Sequence, residues 1–502
     1  MEKEKETKIN LKPDHPTGNF WIDTGLVVLL QHFGEGEHNL QSIRQWLLRK
    51  LVQKTGQKGE YLDPETNDFR EYEKVNWTYP VSLFIKVPGS ARKIKYKGKS
   101  YFIEPPIFDL NFDLSKRAET CDICGEKAPL TDAKMWMYPF IVAPKKFGTF
   151  YPGTKRGLRI CARCALSGLA GYLGWLFKAH GRENIHFFVF YTPDLFELQQ
   201  LYREVIRVFQ LKGEKSGTAP LAFSGPYLHE AVLGLLLELF SQIEKSSLLS
   251  DEGRALLADI LGTDSSKSPV PLSLYVISGK SGRSFNMQQF QEFSHLHSFY
   301  GLYRQWKNLL SGTAQSENLE YSQPHAKLVQ IFQQFHARRE RQNETLWREK
   351  IAWAILEFRD PFPSIESFLF EARAKEKNPQ PLIFGTLEIF RHYAKEVLKM
   401  DERLLRTLAG FGHNLGYSAH GANEMGLLYA LRNAKNADEF FRVLNDVQFR
   451  LELTVPEELL SIQTGEKIKG TPWQRIKTLL SIFAMNSYLR ANRGENKQEV
   501  NQ

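Results

Sequence analysis

Cys121-Asp122-Ile123-Cys124-Gly125 and Cys161-Ala162-Arg163-Cys164 decide how this chain is read. Together they use all four cysteines of its 502 residues. Each CxxC brings two sulfurs to one point across a tight turn, and Gly125 suits the left-handed step that such a knuckle needs. Four thiolates are the donor set of a tetrahedral structural zinc, at about 2.3 Å per metal–sulfur bond. A closed four-sulfur site keeps no position for water, so the expected Zn2+ is a staple and not a catalyst. Two reduced pairs, or a redox dithiol, are the other reading of the same residues. The insertion between the pairs, residues 125–160, is longer than the roughly 15–20 residues common in zinc ribbons. The second pair runs into a helical pattern over 165–178, so its thiolates sit at a helix N-terminus, where the dipole favours them. The expected layout is treble-clef-like.

Outward from this module the texture changes along the chain. Helical periodicity covers 24–32 and 39–52, where Leu40, Ile43, Leu47, Leu48 and Leu51 share a face. Residues 54–75 are charged and read as a loop, while 77–114 alternates β-branched and aromatic residues between Gly and Pro and reads as a small sheet. Strands are expected at 185–191 and 272–277, and helices at 195–211, 227–244 and 252–261. From about residue 286 onward helical spacing alone is read, including 286–310 and 325–341. The fold class expected is an α+β N-terminal half with an embedded four-cysteine zinc module, followed by an all-α C-terminal helical bundle. The divisions are 1–120, 121–180, 181–285, 286–399 and 400–502.

Composition excludes several classes. Apolar residues make up 42% and charged residues 25%, with mean hydropathy −0.38, which is a globular rather than a disordered or fibrous balance. No apolar stretch approaches the ~20 residues of a membrane span. The opening MEKEKETKIN lacks the apolar segment of a secretory signal, so a cytoplasmic location is expected.

The net charge of +9 is modest, but it clusters. Residues 125–160 hold seven Lys/Arg, among them Lys145, Lys146, Lys155, Arg156 and Arg159, against two acids, with Trp136, Tyr138, Phe140, Phe147, Phe150 and Tyr151 interleaved. Cations for phosphate beside rings for bases make a nucleic-acid surface; the alternative is that the rings pack the module's core. Residues 91–99 hold five cations and no acid. There Lys93, Lys95, Lys97 and Lys99 lie on one face of an extended strand, or flank a Lys97-Gly98 hairpin turn; a solvated edge strand is the bland alternative. A third group, Arg338 and Arg339 with Arg341, is placed at a helix end, where cations also serve the dipole.

Enzyme motifs fail on inspection. Gly279-Lys280-Ser281 lacks the P-loop glycine, since Leu274 stands in its place. His229-Glu230 does not extend to HExxH, and neither GxSxG nor the deaminase pattern occurs. No catalytic residue is assigned.

The opening Thr17-Gly18-Asn19-Phe20-Trp21-Ile22-Asp23-Thr24-Gly25, the two CxxC pairs, and the tail segments Leu431-Arg432-Asn433-Ala434 and Tyr488-Leu489-Arg490 resemble the CXXC-CXXC family of CRISPR-associated proteins. That family is the large subunit of type I (I-A or I-B) Cascade surveillance complexes in antiviral defence. The resemblance implies a non-enzymatic subunit that contacts the crRNA 5′ end and recognises the protospacer-adjacent motif (PAM) in target double-stranded DNA. It also implies help in opening the R-loop, contacts to Cas backbone subunits, and a platform for the helicase-nuclease. A zinc-containing RNA-binding or RNA-processing factor and a cryptic metal-dependent nuclease are the rival readings. Met400 is a candidate internal start: Lys395-Glu396-Val397 can be encoded AAG-GAG-GTN, a ribosome-binding sequence. The resemblance implies that a small subunit can arise from such a start.

Overall fold

The helix Phe20–Phe33 is mostly apolar, and Trp21 through Leu30 are all buried, which marks it as a central element. Asn19 caps it by accepting from the Trp21 and Ile22 N–H groups, and Gly34, at φ +78°, ends it. The computed structural model describes residues 7–52, 54–75, 85–86, 93–105, 107–108, 110, 112–134, 137, 157–180, 184–216, 227–244, 249–261, 271–281, 285–310, 324–339, 342–344, 346–460 and 466–500. They divide into two compact units: residues 1–222 with 242–297, and residues 223–241 with 298–502. The first is a mixed α/β unit that holds a cluster of four cysteines, and the second is mainly helical.

In the first unit, Lys8–Leu11 pairs antiparallel with Gly36–Asn39 on either side of the central helix in sequence, and the amphipathic helix Leu40–Leu51 follows. A four-stranded antiparallel meander is formed by Leu176–His180, Asn184–Tyr191, Ser273–Ser281 and Phe285–Phe293, in that spatial order. Trp175 stacks on Phe187 of this sheet at 4.0 Å, and Tyr191 reaches the central helix through Asp23.

The second unit is a stack of helices with two small hairpins among its described residues. Glu230 and Arg348 form a buried bidentate ion pair at 2.5 and 2.6 Å, with the guanidinium 4.2 Å above the Tyr227 ring. Such a pair holds register more than it adds stability, since each charge loses its water. The helices Glu402–Gly421 and Trp473–Val500 approach closely because Gly412 and Gly416 present no side chain to the Phe483–Ala484 and Ala484–Ser487 surfaces.

Glu366 lies buried in the same unit near Lys477, Arg432 and Glu371. Burial pushes its carboxyl from 4.5 up to about 7, against the two cations, so its proton favours the folded state. That contribution is complete below the ordinary carboxyl value and is lost as pH rises through about 7. Glu366→Gln is therefore expected to match the parent near pH 4.5 and to exceed it by up to ~3 kcal/mol above pH 7. Denaturant unfolding at both ends of that window checks it; a constant difference would remove Glu366 as the titrating group.

Four expectations are corrected. Residues 54–75 are not a loop but a hairpin of Lys54–Leu62 and Phe69–Val75. Its turn is built by Asp63, which accepts from the Glu65 N–H, and by left-handed Asn67, and its strands are so exposed that no apolar alternation marks them. The helix placed over 165–178 stops at Ala170, passes through a tight turn at Gly171–Leu173 and becomes a strand. Strands continue past residue 286: Met287, Phe290 and Phe293 recur every third residue as in a helix, yet they lie on the strand Phe285–Phe293, next to a bulge at Ser278/Gly279. Arg338 and Arg339 are not at a helix end. The helix stops at Gln333, the Arg373 guanidinium binds the Gln334 and His336 carbonyls, and Ala337–Arg339 pairs with Gln342–Glu344.

Candidate metal centre

The four cysteines arise from two local structures that a small sheet brings together. Ala118–Thr120, Lys127–Asp132 and Arg159–Cys161 form a three-stranded antiparallel sheet, with Leu130 opposite Cys161. Cys121 and Cys124 occupy the turn between the first two strands. The Gly125 N–H donates to the Cys121 carbonyl at 3.0 Å, and Gly125 has φ +74°, the left-handed step its sequence position suggests. Cys161 ends the third strand and caps the helix Ala162–Ala170, its sulfur accepting from the Cys164 N–H. The Cys161 N–H points at the Cys121 sulfur, 3.3 Å away.

The sulfur positions fit a tetrahedral ion. Bonds of about 2.3 Å give a tetrahedron with S···S edges of about 3.8 Å. Cys124 and Cys161 sulfurs are 3.8 Å apart, Cys121 and Cys164 are 3.9 Å apart, and all four lie within 4.8 Å of one another. Among the described residues this is the one group of His, Cys, Asp and Glu arranged to hold a metal ion. The four cysteines could hold such an ion, and their chemistry is compatible with zinc.

Electrostatics point the same way. Hydrogen bonding with Cys124, Cys161 and Cys164 pulls the Cys121 thiol far below the ordinary thiol range, while hydrogen bonding with Cys121 and Cys124 pushes Cys161 and Cys164 far above it. Four thiols this close cannot all ionise unaided, and a divalent cation supplies the charge that lets them. Arg163, the third residue of the second CxxC, lies buried beside the cluster and pairs with Glu126 at 3.2 Å. Its charge would partly offset the thiolates of a loaded site, a role that the CxxC pattern leaves unspecified.

The opening nonapeptide holds this module in place. The Trp21 indole N–H donates to the Gly168 carbonyl at 2.8 Å, on the helix that starts at Cys161. A Cβ on Gly25 would lie 1.7 Å from the Ser167 carbonyl oxygen, so only glycine lets the two helices meet. Asp23 is fully buried, and its carboxylate accepts from the Thr17 N–H and hydroxyl at 2.8 Å each, the Gly18 N–H at 3.0 Å and the Tyr191 hydroxyl at 3.1 Å. Burial pushes its carboxyl above the usual range, and these bonds oppose that. None of this long-range packing is visible in the residue order.

The other predicted residues are dispersed. Lys93, Lys95, Lys97 and Lys99 lie on the hairpin Lys93–Tyr96/Lys99–Phe102, whose turn has Lys97 at φ +48° and Gly98 at φ +80°. The hairpin alternative therefore describes the backbone, and the four lysines do not share one face. Arg159 is ion-paired with Glu119. Lys145, Lys146, Lys155 and Arg156, with the interleaved rings Trp136 to Tyr151, lie outside the described residues. Met400 is buried, followed by Asp401, which caps the helix Glu402–Gly421. No helix among the described residues is long and apolar enough to cross a membrane. No protein-family model and no curated protein matches the chain.

Proposed function

We propose that this chain is the non-catalytic large subunit of a type I CRISPR RNA-guided surveillance complex, stapled by a treble-clef zinc. One observation carries the reading: the two most specific parts of the resemblance, Thr17–Gly25 and the CxxC pairs, are a single packed unit. Trp21 and Gly25 seat directly on the Cys161 helix. In this role the subunit contacts the crRNA 5′ end and the PAM duplex, promotes R-loop formation and recruits the helicase-nuclease. Pairing between guide and target reads the sequence, which leaves the protein a short duplex motif and backbone to hold, and local basic clusters in a chain of modest net charge suit that task.

Co-expression with the open reading frames that flank its gene and a crRNA, followed by affinity capture, tests the reading. The chain is expected to co-purify with backbone subunits and guide. Stable capture of RNA alone would favour the RNA-factor reading, and metal-dependent cleavage by the purified chain the nuclease. In the assembled complex, replacing Lys145, Lys146, Lys155 and Arg156 with Ala should weaken target binding across sequences and flatten log K against log salt, because fewer counterions are released. An unchanged slope would remove these four residues from phosphate contact.

The same reading includes a second polypeptide begun at Met400. Leu404, Leu408, Phe440, Leu444, Trp473 and Leu480, all buried in the full chain, would be carried by such a product and are the apolar residues from which it would build a core. A C-terminal tag on the unaltered gene should reveal a short band that vanishes on synonymous recoding of codons 395–397. A full-length band alone would refute the internal start.

A further inference from the structure

The hairpin that carries the lysines also carries rings. Phe69, arriving from the neighbouring hairpin, meets the Tyr96 ring at 5.4 Å and the Tyr101 ring at 4.8 Å, edge-on in both cases. The three rings form one continuous cluster. Two remain open to water, Phe69 at 40% and Tyr96 at 39% exposure, with Ile94 beside them at 41%. Each square ångström of ring left wet forfeits about 25 cal/mol of burial, and two rings of this cluster stay partly wet.

Charge surrounds the rings on one side. Lys99 stands directly across the hairpin from Tyr96 and so shares its face, and Lys97, at the tip, places Nζ 5.4 Å over the Tyr96 ring. Lys93 and Lys95 belong to the other face, with Lys93 Nζ 4.9 Å over Phe102. Among the described residues none of the four lysines has a carboxylate partner, whereas two acids of the neighbouring hairpin are engaged, Glu71 with Lys58 and Asp63 with Arg70. Partly exposed rings beside amines that have no carboxylate partner among the described residues fit a polyanion that carries flat, unstacked π-surfaces. A duplex hides its base faces in the stack; a single strand presents them.

We propose that Phe69, Tyr96 and Tyr101 form a stacking platform for the unpaired bases of a single-stranded nucleic acid whose phosphates lie against Lys97 and Lys99. The proposal rests on reading the hairpin lysines as phosphate contacts and adds to it the strandedness of the ligand. It does not depend on membership of a surveillance complex.

The full chain is titrated, by fluorescence anisotropy at low and physiological salt, with oligo(dT), oligo(rU), an abasic strand of equal length, and a duplex. Strands with bases should bind at least about fivefold more tightly than the abasic strand, whose charge is the same but which has nothing to stack. Preference for oligo(dT) or oligo(rU) supports the proposal either way and identifies the sugar of the natural strand. Tyr96→Leu, which keeps apolar bulk, should cost about fivefold, and Tyr96→Phe, which keeps the ring, should restore binding. Lys97→Ala with Lys99→Ala should flatten the salt dependence. Equal affinity for abasic and base-bearing strands, or no effect of Tyr96→Leu, overturns the platform; if the lysine pair still changes the salt slope, the phosphate reading survives it. Tighter binding of the duplex than of either single strand also overturns the platform. No effect of either set of substitutions overturns both.

Discussion

Cys164→Ala is expected to abolish metal binding and unfold the module built around residues 121–170. The sulfur of Cys164 is buried, 3.9 Å from that of Cys121, and its helix is the surface on which Trp21 and Gly25 rest. Structural zinc contributes on the order of 10–16 kcal/mol in peptide sites, as much as or more than the 5–15 kcal/mol that holds a whole domain together. Losing one of four ligands therefore takes away stability the module cannot replace from its small three-stranded sheet. The damage should reach the central helix, because three sulfurs no longer fix the start of the helix that receives it. Elemental analysis of the purified parent is expected to give one zinc per chain, and the variant should show a collapse in soluble yield together with altered near-ultraviolet circular dichroism. Less than about half an equivalent of zinc in a natively folded parent would sink the assignment. Chelation offers an independent arm: removal of metal from the parent should reproduce the variant's spectrum, and re-addition should reverse it.

The cysteine cluster was legible because its chemistry is local: two CxxC pairs need only be counted and spaced. Turns with strict backbone demands were legible for the same reason, as at Lys97-Gly98, where both residues take positive φ. So were amphipathic helices with strong caps, such as Ala437–Leu451 behind Asn436. What escaped was structure whose cause lies elsewhere in the chain. The strand Leu176–His180 begins where it does because Gly171 and Gly174 let the chain press against Trp21 and Thr24, residues far away in sequence. The hairpin of 54–75 is held partly by Tyr72 lying across Gly59, a pairing that a solvent-exposed strand does not announce through apolar alternation. Asp23 could not be recognised as the buried acceptor of four hydrogen bonds, since three of its donors precede the helix and the fourth is Tyr191 on the meander.

Two glycines of one helix should respond to the same substitution with opposite signs. Gly410 and Gly416 both belong to Glu402–Gly421. A Cβ at Gly410 would meet nothing within 4 Å, so Gly410→Ala removes only the entropy that glycine costs a helix and should stabilise the second unit by about 0.4–1 kcal/mol. A Cβ at Gly416 would lie 2.0 Å from the Ala484 carbonyl oxygen and 2.8 Å from the Ser487 Cβ. Neither neighbour is the free end of a flexible chain, so the partner helix Trp473–Val500 must move as a body or lose its fit. Moving it also disturbs the bond from the Ser487 hydroxyl to the His413 carbonyl at 2.8 Å and the pairing of Asn486 with both backbone groups of Leu382. Overpacking alone costs about 1–3 kcal/mol, and the hydrogen bonds add to it, so Gly416→Ala should lose about 3 kcal/mol or more. Paired denaturant titrations of the full chain, followed by helical circular dichroism, read both effects on one scale. If the two variants shifted the midpoint in the same direction, the close helix crossing at Gly416 would not be the feature that holds this unit together.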